Sequence, residues 1–291
     1  MTRLCSTDVQ PIPAALPEYD QLLRSQTGHS LLELAQMAAG VPVLSTDSSM
    51  AELKAAVVPL TCGQGIIPGF GMAVKSIVDF LGITAWVTQP DQLGWKEALK
   101  QKANIILSAD DHGFTAFIPS TGQTVDNSAA TGKAFAMALN CAAGGVAGRE
   151  VWLIGLGPVG LSAGTLLHKL GARIVVSELI PERIKRARAF FPLSLLPARE
   201  QERGIPALIL DASPASDSIP EGLIHERTIV AAPGLPLGIP EQAIARLGKT
   251  RLIHDPLPLG VATMAMESAA LIINGIKRDC SLTSRNPASG Q

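Results

Sequence analysis

"VWLIGLGPVG", residues 151–160, is an apolar run that breaks into Gly155-x-Gly157-x-x-Gly160 and passes straight into a stretch of helical spacing. In a dinucleotide-binding strand-turn-helix the first glycine permits the tight turn and the second leaves room for a pyrophosphate. The third lets helix and strand pack closely. The helix start then offers unpaired N–H groups and the positive end of its dipole to phosphate. A glycine turn that merely packs a helix would carry the same spacing, so the context decides. The next apolar run, "RIVVSE", closes on Glu178. A carboxylate at that distance accepts the ribose hydroxyls of NAD and repels the 2′-phosphate of NADP. The cofactor set is therefore Gly155, Leu156, Gly157, Pro158, Val159, Gly160 and Glu178, with NAD as ligand. Arg183, Lys185 and Arg186 read as the solvated face of the following helix rather than as a 2′-phosphate site.

Downstream, strand and helix keep alternating through "ALILDA", "TIVAAP", "EQAIARLG" and "RLIHD", which predicts a Rossmann-type doubly wound domain. Its strand ends at "DASP" and "AAPG" put Ser213 and Pro233 on the nicotinamide side of the crevice, although both also suit plain turns. The uncharged run 151–167 approaches the roughly 20 residues that span a bilayer. Its glycines and Pro158 make it strand, turn and buried helix instead.

Upstream, residues 16–39 have helical spacing broken at Gly28, followed by a second α/β alternation: "AAVVPLT", "MAVKSIVDFLG", "ITAWVT", "DQLGWKEALKQK" and "ANIILSADD". A hairpin with its turn at Ser120–Gly122 and a helix across Thr131–Cys141 complete this half. The expected organisation is an N-terminal helical and α/β substrate domain at 1–143 and an NAD-binding domain at 144–276. A polar tail follows at 277–291.

The N-terminal half has a glycine loop of its own, "VVPLTCGQGIIPGFG" at 57–71. Bulky Ile66 and Ile67 occupy its crossing, Pro68 stands where a helix would begin, and no acid ends the next strand, "ITAWVTQP". The loop is thus not a second NAD site but a substrate-side loop, with backbone N–H groups exposed by Gly63 and Gly65 facing the cleft and Cys62 beside them as a candidate substrate contact.

Composition narrows the partners. Lys plus Arg number 24 against 25 Asp plus Glu, and aromatics make up 4%, so neither a basic footprint nor a stacking platform for nucleic acid is present. Cys5, Cys62, Cys141 and Cys280 form no CxxC pair, which signals neither a metal site nor a redox dithiol. Free thiols in the cytoplasm are expected. The N-terminus lacks a continuous apolar stretch of the secretory type.

"SADDHG" ends the third strand of the N-terminal half and places Asp110 or Asp111 at the cleft. A carboxylate there would pair one ammonium group of a substrate and accept a proton from another, and Asp110 is the candidate catalytic group. A solvated turn cap is the competing explanation. His112 adjoins, and His254 with Asp255 forms a second possible pair at a strand end. On the residues alone, an NAD-dependent dehydrogenase acting on an amino acid or a folate-like substrate and an NAD-sensing module without chemistry both stay open.

"VVPLTCGQGIIPGF", "ANIILSADDHGF", "NSAATG", "GLGPVG" with its downstream acid, "PGLP" and "DPLPLGVATM" resemble, in this order and spacing, the PylD family of pyrrolysine-forming dehydrogenases over most of the chain. The resemblance implies a two-domain homodimer that binds NAD and an isopeptide, lysine carrying 3-methylornithine on its side-chain amine. It would oxidise the terminal amine-bearing carbon, and ring closure with loss of ammonia would complete the amino acid pyrrolysine. It further implies Asp110 near the reacting amines, Asn127 as a substrate contact and Leu4 in a segment covering the substrate; Asp111, by its position beside Asp110, is a further candidate substrate contact. Two departures stand out: Cys62 replaces a serine of an archaeal member, and Glu178 replaces an aspartate with the sign of charge kept.

Overall fold

A computed structural model of the chain describes residues 4–42, 48–196 and 206–283. The chain opens with helices α1 (Ser6–Val9), α2 (Ile12–Thr27), α3 (Leu31–Ala39) and α4 (Ser48–Ala51). The Gly28 break is a left-handed C-cap at φ 79°, its N–H donating to Arg24 O. Two residues later Ser30 and Glu33 form a capping box that starts α3.

The first sheet then alternates with helices: β1 (Lys54–Pro59), α5 (Phe70–Phe80), β2 (Thr84–Val87), α6 (Asp91–Lys100), β3 (Ile105–Ala109), β4 (Phe114–Ile118) and β5 (Gln123–Asp126). Its strand order is β2-β1-β3-β4-β5. β1 pairs in parallel with β2 and β3, while β4 and β5 add the expected hairpin in antiparallel sense, making the sheet mixed. The two-residue-period burial of β4, with Phe114, Ala116 and Ile118 inside, is what a half-covered antiparallel strand requires.

The linking helix α7 (Asn127–Ala142) leads into β6 (Glu150–Ile154), α8 (Pro158–Lys169), β7 (Arg173–Ser177), α9 (Pro181–Ala187), β8 (Ser194–Leu195), β9 (Leu208–Asp211), β10 (Ile229–Ala232), α10 (Glu241–Arg251), β11 (Leu252–His254) and α11 (Pro258–Thr283). The second sheet runs β11-β10-β9-β6-β7-β8, entirely parallel and doubly wound. The uncharged run at 151–167 is β6, its turn and the first turns of α8. No helix among the described residues is long and apolar enough to cross a membrane.

Two features of the closing helix differ from the sequence expectation. α11 continues to Thr283, past residue 277 where the polar tail was expected to start; residues 284–291 of that tail lie outside the described ones. α11 also packs against α3, α5, α7 and the strands of the first sheet, so the chain's last element returns to the half where it began.

The junction is built from small side chains. Ala130, Gly132, Ala134, Ala136 and Ala138 of α7 are buried. A Cβ at Gly132 would press on Val159 O and lie 2.8 Å from Ala163 N, so α7 and α8 cross at backbone contact. Ser162 Oγ donates to Ala129 O at 2.6 Å across that crossing. This pins the glycine-loop helix to the first half.

Candidate active site

The cofactor loop is held by its own strand ends. Gly155 adopts φ 82°, its N–H donates to Ser177 O at 2.8 Å, and a Cβ there would sit 3.1 Å from Ala212 O. A Cβ at Gly160 would run into the Gly155 carbonyl oxygen, while one at Gly157 would meet nothing within 4 Å. The three glycines thus divide as the spacing requires: a turn, an open approach and a close packing. Leu156 is buried, Pro158 stands in the first turn of α8, and no side chain caps that helix start. Its first-turn N–H groups therefore face the open side above Gly157 and fit a pyrophosphate.

Glu178 does more than end β7. Its carboxylate accepts Leu156 N–H at 2.6 Å and Ile180 N–H at 2.9 Å, and its side chain is only 5% exposed. Arg183, read from sequence as solvated, reaches 3.7 Å from Glu178 Oε2. The acid shapes the loop before any ribose arrives. Its remaining lone pairs are those that would meet the hydroxyls.

Ser213 and Pro233 follow β9 and β10, and a Cβ at Gly234 would come within 2.6 Å of Ser213 O. The two turns therefore touch. Asp211, at the end of β9, accepts Ser213 N–H at 3.0 Å and the Ser218 hydroxyl, and burial pushes its carboxyl above the usual carboxylate range. In the sequence its only mark is an acid at the end of an apolar strand.

In the first half, the loop after β1 is lashed by two carboxylates, one at the start of α6 and one in the turn after β3. Asp91 accepts Thr61 N–H at 2.8 Å and also the Thr61 hydroxyl. Asp111 accepts Gln64 N–H at 2.8 Å, and Gly63, at φ 65°, lies so close that a Cβ would strike the Asp111 carboxylate. Gly65 N–H closes a turn on Cys62 O at 3.2 Å. Two carboxylates thus occupy backbone N–H groups of this loop that would otherwise be open to an anion. Cys62 is an exposed free thiol.

Asp110 and Asp111 both lie beyond the end of β3, in its turn, so strand alternation does not choose between them. The exposed Asp110 carboxylate takes His112 N–H at 2.8 Å and Gly113 N–H at 2.9 Å on one oxygen. The Gly113 and His112 amides hold it below the usual carboxylate range, suiting it as a counter-charge for an ammonium and making it a weak proton acceptor.

Asn127 opens α7. It is 7% exposed, and its Oδ1 has no hydrogen-bond partner. A Cβ at Gly260 in α11 would lie 3.3 Å from that oxygen and would press on Thr131 Oγ1. The start of α11 therefore abuts the start of α7 beside a buried acceptor that has no partner. Leu4 is half-buried and packs on the hydrophobic core rather than standing free. Among the described residues no group of His, Cys, Asp and Glu could hold a metal ion.

The chain thus joins a mixed α/β half to a parallel, doubly wound half. Solved structures share this arrangement: a shikimate dehydrogenase from Aquifex aeolicus has a TM-score of 0.50 and 14% identity, covering 79% of this chain and 95% of that one. A quinate dehydrogenase from Corynebacterium glutamicum in complex with NAD also scores 0.50 at 14% identity, covering 75% and 93%. In sequence, residues 8–125 match the family "Pyrrolysine biosynthesis protein PylD, N-terminal domain". The pyrrolysine synthases of Methanosarcina acetivorans and Methanosarcina barkeri are each 28% identical over 272 residues, 91% of this chain and 98% and 97% of theirs. The first half of the chain is thus similar to the PylD N-terminal domain, and the chain over 91% of its length to pyrrolysine synthases.

Proposed function

We propose that this protein is an NAD-dependent dehydrogenase that carries out the last step of pyrrolysine biosynthesis. Its substrate is 3-methylornithyl-Nε-lysine, oxidised at the terminal amine-bearing carbon. The observation that carries the reading is the similarity to pyrrolysine synthases, which runs through both halves and so includes both sides of the crevice. The open approach above Gly157, the uncapped start of α8 and Glu178 fit NAD. When bound, NAD supplies the two-electron acceptor for the amine carbon.

The chain's own residues bind and orient. The Asp110 carboxylate pairs with a substrate ammonium, and Asn127 Oδ1 accepts an N–H from the same ligand. Leu4, Cys62, Gly63 and Asp111 form the substrate-side wall. Once the carbon is an imine, the internal α-amine is tethered near it, and ring closure with loss of ammonia gains from proximity. On the N-terminal side we retain a boundary near 143–144 for the substrate domain, and we infer a homodimer in the cytoplasm. The family resemblance and the free thiols of Cys5, Cys62 and Cys141 support these last two points.

Purified protein, Nε-ornithyl-lysine isopeptides and NAD test the reading by NADH absorbance and product mass. NADH with a product lighter by ammonia and two hydrogens is expected; no NADH with any such isopeptide overturns it. Asp110→Ala is expected to lower turnover by about 10²-fold or more, the scale of losing a charge that positions a reacting group. NAD affinity should stay unchanged in isothermal titration.

A further inference from the structure

Oxidation of an amine-bearing carbon needs the nitrogen lone pair, so an ammonium must first give up a proton. Asp110 is poorly suited to accept it, because backbone amides already stabilise its charge. Asp255 is excluded more firmly: one oxygen accepts Leu257 N–H at 2.9 Å and Leu259 N–H at 3.3 Å, and the other takes the Tyr19 hydroxyl. The neighbouring His254 is arranged differently. Its Nδ1 lies 2.6 Å from Ala232 O. A carbonyl can only accept, so Nδ1 carries the hydrogen and Nε2 keeps a lone pair.

That imidazole borders a cavity of about 180 Å³ at the C-terminal end of β11. Ile12, Ala15 and Leu16 of α2, with Pro256 and Pro258, supply apolar wall, and Tyr19 and Asp255 are the titratable groups that face His254 there. The segments that line it lie next in chain to residues that touch the substrate-side loop and the start of α7. Val9 and Gln10, just before Ile12, pack on Gly69 at the end of the substrate-side loop. Pro258 is two residues from Gly260, which abuts Asn127. In the strand order β11-β10-β9-β6-β7-β8, Glu178 marks the ribose end, so the reacting end of a dinucleotide extends over β9 and β10 toward β11.

Resting on the function proposed above, we propose that His254 Nε2 accepts the proton of the substrate's terminal ammonium before that carbon is oxidised. The ammonium N–H bond breaks and an Nε2–H bond forms. The pair left on nitrogen can then become the second bond of C=N as the C–H bond breaks and its hydrogen leaves as hydride, which NAD would accept when bound. When the internal amine displaces ammonia, the proton on Nε2 can leave with it. Apolar walls favour the neutral amine over the ammonium. The Tyr19–Asp255 pair anchors the residue next in chain, which orients the imidazole.

The test combines a resonance measurement with kinetics. In histidine-labelled protein without NAD, ¹⁵N spectra are expected to show neutral His254 with hydrogen on Nδ1 and a bare Nε2. Added Nε-ornithyl-lysine is expected to move the Nε2 signal toward the protonated position. His254→Gln is expected to lower kcat by about 10²- to 10⁴-fold, the range for losing a general base. It should also abolish the imidazole limb of the wild-type pH profile while NAD affinity holds. Hydrogen on Nε2 in the neutral ring, an Nε2 signal indifferent to the isopeptide, or an unchanged pH profile in an active His254→Gln would each overturn the assignment alone. A wild type inactive on every isopeptide would overturn the function and the assignment together.

Discussion

The two glycine loops begin alike and end differently. Each follows a central parallel strand, β1 or β6, and in each a carboxylate from a neighbouring strand end accepts a loop amide: Asp111 on Gln64, Glu178 on Leu156. After Gly157 the chain enters α8 at once, with the helix start uncapped and open space above the glycine. After Gly65 it wanders through Ile66, Ile67 and Pro68 before α5 starts at Phe70, and a second carboxylate, Asp91, binds the loop's entry. A glycine loop becomes a phosphate cradle only when a helix start delivers its amides to the open side. When carboxylates consume the amides, it becomes a rigid wall.

The sharpest way to break this comparison is at the packing glycine. Gly160→Ala drives a Cβ into the Gly155 carbonyl and is expected to cost about 3 kcal/mol, the upper range of overpacking; urea melts check it, and NAD binding should vanish with the loop. Glu178→Ala leaves buried Leu156 N–H unpartnered and is expected to cost about 2 kcal/mol, weakening NAD binding and its preference over NADP. Unchanged discrimination in titrations with both cofactors would show that the acid shapes the loop without reading the ribose. Gly63→Ala meets both a left-handed backbone and the Asp111 carboxylate and is expected to cost about 1–2 kcal/mol. Here NAD affinity should not move, in contrast to the first two. Gly157→Ala should leave stability within about 0.5 kcal/mol yet weaken NAD about tenfold, or 1.4 kcal/mol, because its Cβ points into open space.

The strand ends of the two halves should also answer pH with opposite signs. Backbone amides depress the carboxyl of Asp110, so its contribution is present above the ordinary carboxylate range and lost as pH falls through the depressed value. Burial raises that of Asp211, so its contribution is present below that range and lost as pH rises through the raised value. Asp110→Asn is expected to flatten the acid limb of stability against pH, and Asp211→Asn the limb just above it. Thermal melts from pH 3 to 7 measure both.

Much of this was legible because local rules act within short windows. Gly28 announced a break between two helical segments, and the structure has a left-handed cap there with a new helix beginning three residues on. The Gly155–Gly160 spacing with Glu178 placed β6, α8 and β7, and the hairpin turned at Ser120–Gly122 as expected. What stayed hidden depended on partners remote in sequence. Asp91 and Asp111 clasp a loop 30 and 47 residues away, and Tyr19 meets Asp255 across 236 residues. Nothing near either residue announces such a pairing.

The amino-acid sequence alone determined two α/β halves, the glycine loop with its downstream acid, and the carboxylate candidates Asp110 and Asp111, since glycine spacing, strand ends and apolar periodicity are properties of contiguous residues, whereas Asn127 came only with the family resemblance. Tertiary structure decided that α11 returns to the first half and that its start abuts the start of α7 beside the unpartnered Asn127 oxygen. It also decided that the imidazole of His254 is held by the Ala232 carbonyl. Those arrangements follow from which surfaces bury each other, and burial is settled by the whole packed chain rather than by any segment of it.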